Sequence, residues 1–179
     1  MSTTALATRV RSSLPLVALA AVALTGAACA PSMNTLPPPP PPPSSAFSAE
    51  AFGWSAQPGQ AGIEGRVEFR RDGTAYGCTG SVALTPDTPY TRARFSTLYG
   101  STNQAAVPES VVRARTVADP NADYRSFVRS STCTDGRFVF AGLPDGSWFI
   151  IAPVSAGGDR IVLMRRVETR QGRVLTITL

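Results

Sequence analysis

Four glycine-centred turn signals, Asp135-Gly136, Asp145-Gly146, Gly157-Gly158 and Gln171-Gly172, follow one another at intervals of ten to fourteen residues, and Asp72-Gly73 stands upstream of them. That spacing suits short antiparallel strands joined by tight turns. The segments between the turns alternate as strands do. In "GRVEFRR", Val67 and Phe69 fall on one side and Arg66, Glu68 and Arg70 on the other. "SVALT" sends Val82 and Leu84 inward, and "RFVF" sends Phe138 and Phe140 inward. In "SWFIIAPV" both registers are apolar, which marks a central strand covered on both faces. The chain closes with "IVLMRRVET" and "RVLTITL", whose inward set is Leu175, Ile177 and Leu179.

One segment breaks the alternation. "TPYTRARFSTLYG" places Phe95, Leu98 and Tyr99 at helical spacing, with Thr91 as N-cap and Gly100 as the stop. It reads as a short amphipathic helix crossing one end of a sandwich, Arg92 and Arg94 outward; an arginine-lined binding helix is the alternative. The sum is an all-β fold, an antiparallel sandwich of about seven strands with one short helical insertion.

The N-terminal third is built differently. "MSTTALATRVRSSLPLVALAAVALTGAACA" carries Arg9 and Arg11, then an apolar run from Leu14 to Leu24, then small residues. The run is too short for a bilayer, which needs about twenty residues, and reads as a secretory signal. Two cleavages fit. "LTGAAC" resembles the bacterial lipobox, although Gly26 stands where that motif usually has Leu; Cys29 then becomes the lipidated first residue. Cleavage after Ala30, at Ala28-x-Ala30, would instead discard Cys29. Pro37 to Pro43 follow as seven consecutive prolines in a disordered linker, a polyproline rod about 22 Å long. They suit a spacer between a membrane anchor and a folded domain, or a docking motif for a proline-reading partner. The expected organisation is a signal peptide at 1–28, a tether and apolar arm at 29–60, and a sandwich at 61–179. Within the arm, "FSAEAFGW", Phe47 to Trp54, either docks on the sandwich or stays exposed as a partner patch.

Residue types that are missing close off much chemistry. All 17 basic residues are arginine; the chain has no histidine and no lysine. There is no imidazole to act as base or ligand and no amine for a Schiff base. Removing Arg9 and Arg11 leaves fifteen Arg against 12 acids, about +3, which is weak ground for nucleic-acid binding. Neither a catalytic residue, a metal set nor a cofactor is expected: the acids are scattered, without EF-hand spacing. Cys78 and Cys133 remain as a pair in either cleavage; in an oxidising periplasm they form a disulfide, the alternative being a redox or metal pair. Arg160, Arg165, Arg166, Arg170 and Arg173 crowd the last strands as a candidate surface for anionic ligands. With Asp159 and Glu168 among them, a solvated mixed face is the other reading.

"TDGRFVFAGLPDGSWFIIA" resembles the signature of carboxypeptidase regulatory-like domains, which are transthyretin-like, Ig-like sandwiches. The matching residues are Gly136, Phe138, Phe140, Leu143, Pro144, Gly146 and Trp148. "GIEGRVEF" and "GSVALTP" are similar to the opening hairpin of that family. The resemblance implies a fold and is nearly silent on activity, because the shared residues turn the chain or fill a core. Hydroxyisourate hydrolases share the transthyretin-like fold, but their chemistry depends on histidines that this chain lacks.

These readings describe a non-catalytic envelope lipoprotein, an accessory or binding module on the periplasmic side of a membrane, with outer-membrane placement preferred because Ala30 is not an aspartate. Its expected partners are the membrane, through the N-terminal lipid, and an envelope protein or glycan. The competing classes are a small periplasmic hydrolase using carboxylates or hydroxyls, and a structural component of an envelope assembly. Metabolic labelling with a fatty acid should mark the wild-type protein and not Cys29→Ser; equal labelling of both would refute lipidation.

Overall fold

The computed structural model describes residues 45–78, 80–117 and 123–179, all within the unit Pro41–Leu179. The expected signal segment, Cys29 and the proline run lie outside the described residues. Eleven strands are described, three of them only two residues long: β1 Ala61–Arg66, β2 Arg70–Arg71, β3 Thr74–Ala75, β4 Gly77–Cys78, β5 Ser81–Pro86, β6 Gln104–Pro108, β7 Arg129–Thr132, β8 Arg137–Leu143, β9 Gly146–Ala156, β10 Asp159–Thr169 and β11 Val174–Thr178. Three α-helices accompany them, α1 Ala49–Phe52, α2 Pro89–Tyr99 and α3 Glu109–Ala114.

The strands form the expected all-β sandwich. A three-stranded sheet, β11-β1-β8, lies against a larger sheet, β6-β10-β9-β5-β7, in which β4 also pairs with β9. Inward residues of both sheets make one core: Ile63 from β1, Phe138 and Phe140 from β8, Leu84 from β5, Trp148 and Ile150 from β9. Burial of each large side chain contributes about 1.5–3 kcal/mol. The alternation seen in the sequence holds here, with Val82 and Leu84 buried on β5 and Ile177 buried on β11 between half-buried Leu175 and Leu179.

Strand β9 is covered on both faces. Trp148, Ile150, Ala152 and Val154 join the inter-sheet core, whereas Phe149 belongs to a second core with Phe95, Tyr99, Val162 and Met164. That second core corrects the position of the helix. Helix α2 lies on the outer face of the larger sheet, where Phe95 meets Phe149 edge-on at 4.9 Å between ring centres, and does not cross one end of the sandwich. Its N-cap is Thr88, not Thr91. Pro89 takes the first helical position, and Thr91 completes a reciprocal capping box with Thr88. Gly100 ends the helix at φ 72°, in the left-handed region. Arg94 is not outward either: its guanidinium lies 5.0 Å from the Tyr124 ring centre.

The glycine turns divide into two kinds. Asp72-Gly73 and Gly157-Gly158 close hairpins, the latter joining β9 to β10 over eleven paired positions. Asp135-Gly136, Asp145-Gly146 and Gln171-Gly172 instead carry the chain from one sheet to the other. The last crossing leaves β11 parallel to β1, from Gly62↔Val174 to Arg66↔Thr178, where purely antiparallel pairing is expected from the turn spacing. The helical content also exceeds one insertion. In α3, Glu109 and Arg113 make an i,i+4 pair at 2.6 Å, which supports a helix through the β-branched Val111 and Val112.

The crossing at Leu143-Pro144-Asp145-Gly146 is locked by buried Thr169. Its hydroxyl accepts from Trp148 Nε1 at 3.1 Å and donates to the Pro144 carbonyl at 2.8 Å. Asp145 accepts from the backbone N–H groups of Gln171 and Gly172, which binds this crossing to the next. Gly146 is required by close approach: a Cβ there would sit 2.2 Å from the Trp54 ring. Trp54 itself packs edge-on against Trp148 at 4.8 Å, and Phe52 is fully buried, so the apolar arm docks on the sandwich.

Cys78 and Cys133 form a disulfide, with Cα atoms 6.0 Å apart. It ties the end of β4 to the residue after β7, across a sequence separation of 55. On chain-entropy grounds, replacing both cysteines by alanine should lower the unfolding free energy by about 4 kcal/mol in urea titrations; an unchanged midpoint would show that the bridge is dispensable. Thr169→Val should cost about 1–3 kcal/mol in the same measurement, because it leaves the buried Trp148 N–H without an acceptor.

Candidate functional site

The five arginines of the last strands do not form one patch. Successive residues of a strand face opposite sides, so Arg165 and Arg166 diverge from the start. Arg160 bonds Glu109 at 2.7 Å, Arg170 bonds Glu168 at 2.7 Å, and Arg166 bonds Asp87 at 2.5 Å. Arg165 Nη1 donates to the Thr178 carbonyl at 2.6 Å. Arg170 and Arg173 sit in the crossing between the sheets, where the Arg173 N–H donates to the Arg170 carbonyl. Much of this face is therefore the solvated mixed surface that Asp159 and Glu168 suggest.

Carboxylates in this region are engaged by arginine. Glu109 receives both Arg113 and Arg160. Its carboxyl is held below the ordinary value of 4.5, chiefly by the hydrogen bond from Arg113, which outweighs the opposing effect of burial and is helped by the charges of Arg113 and Arg160. Asp159 accepts from Arg71 and from the Tyr76 hydroxyl, and that bond to the carboxylate raises the Tyr76 pKa.

What the structure does assemble is the edge formed by β6 and β10. Strand β6 ends the larger sheet, and its Gln104 lies opposite Arg165 in the ladder. On the inner side of this edge the two sheets part to leave a cleft of about 320 Å³. Phe69, Leu163 and Leu179 give it apolar walls; Gln104, Arg165 and Thr178 give it polar ones. Phe69 is half-buried, held edge-on to Tyr76 at 5.4 Å. Gln104 is exposed. The volume stands at the small end of small-molecule sites, about 300–1,000 Å³. Chemically the cleft offers an apolar ring beside a planar amide and a planar guanidinium, groups that bind neutral hydroxyl-bearing ligands without reacting with them.

On the outer side of the same edge lies a smaller, polar cleft of about 270 Å³, lined by Arg92, Thr102, Asn103 and Arg166. The Arg166 N–H donates to the Asn103 carbonyl at 2.7 Å, which fixes the loop after α2 against β10.

Of these groups, the sequence marks Arg165 and Arg166 as candidates and Arg92 as an outward helical residue. Phe69 enters the sequence reading only as an inward strand residue. Gln104, Thr102 and Asn103 carry no motif at all. One local signal was available, the Asp87-Thr-Pro-Tyr-Thr-Arg92 spacing at a helix start, which lets Arg92 fold back on Asp87.

No family model matches the chain, and no curated protein matches it. Its fold is similar to a 2.61 Å crystal structure from Pseudomonas aeruginosa, that of a "putative carbohydrate binding protein", with a TM-score of 0.52 and 18% sequence identity. The match covers 74% of this chain and 97% of the other. At that identity the likeness is one of fold.

Proposed function

We propose that this chain is a non-catalytic binding module that holds a glycan in the cleft at the open edge of its sandwich. The observation that carries the reading is the cleft's composition. A pyranose presents an apolar C–H face and a rim of hydroxyls, and the cleft sets Phe69 beside the amide of Gln104 and the guanidinium of Arg165. The apolar wall suits the ring face, while the amide and guanidinium supply donors and acceptors in fixed planes for adjacent hydroxyls. The carbohydrate-binding description of the Pseudomonas aeruginosa protein of similar fold supports the same ligand class. The absence of histidine and lysine from the sequence argues against imidazole or Schiff-base chemistry at this place.

In this proposal the module is a carboxypeptidase regulatory-like, transthyretin-like domain, as its Gly136 to Trp148 residues suggest. It is displayed on the periplasmic side of the membrane, with the outer membrane preferred. The lipobox-like Cys29, the proline spacer and the signal-like leader support that placement, and the Cys78–Cys133 bridge suits an oxidising compartment.

On a glycan array the soluble domain, residues 45–179, should retain one or more saccharides. Gln104→Ala and Arg165→Gln should each weaken that retention about tenfold, as expected for charge-assisted or paired hydrogen bonds, with the unfolding midpoint little changed. Retention of no saccharide, or retention indifferent to both substitutions, would overturn the reading.

A further inference from the structure

The structure assigns an acid-binding subsite to the outer cleft, where Arg92 and Arg166, mounted together on Asp87, receive a glycan carboxylate. This inference rests on the glycan-binding reading above and names its ligand class as acidic.

The argument begins with Asp87, whose side chain has 0% exposure. It accepts Arg92 Nε at 2.6 Å and Arg92 Nη2 at 2.8 Å, one on each oxygen, and Arg166 Nε at 2.5 Å. Two cations thus share one buried anion, so these three side chains carry a net charge of +1; Glu168, which also feels the charge of Arg166, is bonded to Arg170. A guanidinium has five N–H donors. Asp87 takes two from Arg92 and one from Arg166, and Ser147 Oγ takes one more from Arg166 at 3.0 Å. Six of the ten donors therefore have no acceptor among the described residues. Their side chains are 55% and 34% exposed, and both line the cleft.

The mount is rigid as well as charged. Asp87 N–H donates to the Ser147 carbonyl at 2.9 Å, Arg92 N–H closes the first helical turn on Thr88, and Arg166 is paired within β10. A pair of guanidiniums already held in position loses little freedom when an oxyanion arrives, and planar N–H forks match a carboxylate in geometry. Thr102 and Asn103 complete the cleft with a hydroxyl and an amide for neighbouring sugar oxygens. A net charge of +1 matches the single charge of a carboxylate.

Comparison with the other charged cleft sharpens the assignment. Around α3, Arg113 and Arg160 also share one acid, Glu109, but there Glu109 and Asp159, the latter paired with Arg71, both line the opening itself. Between α2 and β10 no acid among the described residues lines the opening, because Asp87 is sealed beneath the two arginines. The position also fits a chain-like ligand. Asn103 and Gln104 are consecutive, as are Arg165 and Arg166, so the two clefts lie on opposite faces of one sheet edge. A saccharide chain seated against Phe69 and Gln104 would pass round that edge to bring the acid group of a further unit to Arg92 and Arg166.

The test compares polygalacturonate with its fully methyl-esterified form in affinity electrophoresis of the purified protein. Polygalacturonate should be bound about tenfold more tightly than the ester, and Arg92→Gln or Arg166→Gln should remove that preference. Asn103→Ala leaves the Asp87 pairs intact and should weaken binding about threefold to fivefold even if the arginine variants fold poorly. Arg137→Gln, an exposed charge on the other sheet, should change nothing. Equal binding of acid and ester that still depends on Gln104 and Arg165 would overturn the subsite and leave the glycan reading standing. Binding of the acid form that falls equally with Arg137→Gln would reduce the effect to net charge and overturn the subsite. Binding of neither form, with an empty glycan array, would overturn both.

Discussion

Trp148 and Phe149 are neighbours in the chain and belong to different cores. Most of the structure follows from that. A strand whose two faces are both apolar must be covered twice, once by the opposing sheet and once by another element. The three-stranded sheet supplies the first cover, and α2 with β6 supplies the second. Because β10 pairs with β9 along its full length, the same demand positions β10, and through it the edge where Gln104, Arg165, Asn103 and Arg166 meet. The docked arm belongs to this arrangement: Trp54 packs on Trp148, and Phe52 is as buried as the residues of the inter-sheet core.

The basic chemistry of the chain is entirely that of arginine. Planar, permanently charged forks pair readily with carboxylates and also stack on rings. Both uses are present. Arg66, Arg113, Arg160 and Arg170 engage acids near the surface, where exposed pairs contribute at most about 1 kcal/mol. Arg94 and Arg129 lie against the rings of Tyr124 and Trp148. Asp87 differs from these pairs because its side chain is fully buried while it holds two arginines, Arg92 and Arg166, from distant parts of the chain.

Much of the fold was legible because its signals are local. Period-two alternation marked Val82 and Leu84 or Phe138 and Phe140 correctly, and an apolar run on both registers marked β9 as central. Cysteine parity identified the bridge. The errors arose where one local signal serves two geometries. A glycine-centred turn such as Gln171-Gly172 carries the chain equally well within a sheet or between sheets, so the parallel pairing of β1 with β11 was invisible. Thr88 and Thr91 are both capping residues, and Pro89 at the first helical position decides between them. No element was read from the sequence at α3, whose helix is supported by Glu109 bonding Arg113 one turn on.

The candidate site was legible only in fragments. Five arginines between Arg160 and Arg173 looked like one surface, but strand alternation and an inter-sheet crossing disperse them. Sequence alone determined the β-rich class, the stapling pair, the inward residues of most strands and the absence of imidazole and amine chemistry, since each follows from residue type or short-range periodicity. Tertiary structure alone decided which arginines meet. Asp87 and Arg166 are 79 residues apart and are joined by the pairing of β5, β9 and β10 and by no pattern in the chain. Local rules place a side chain on a face; only long-range strand order determines what lies opposite it.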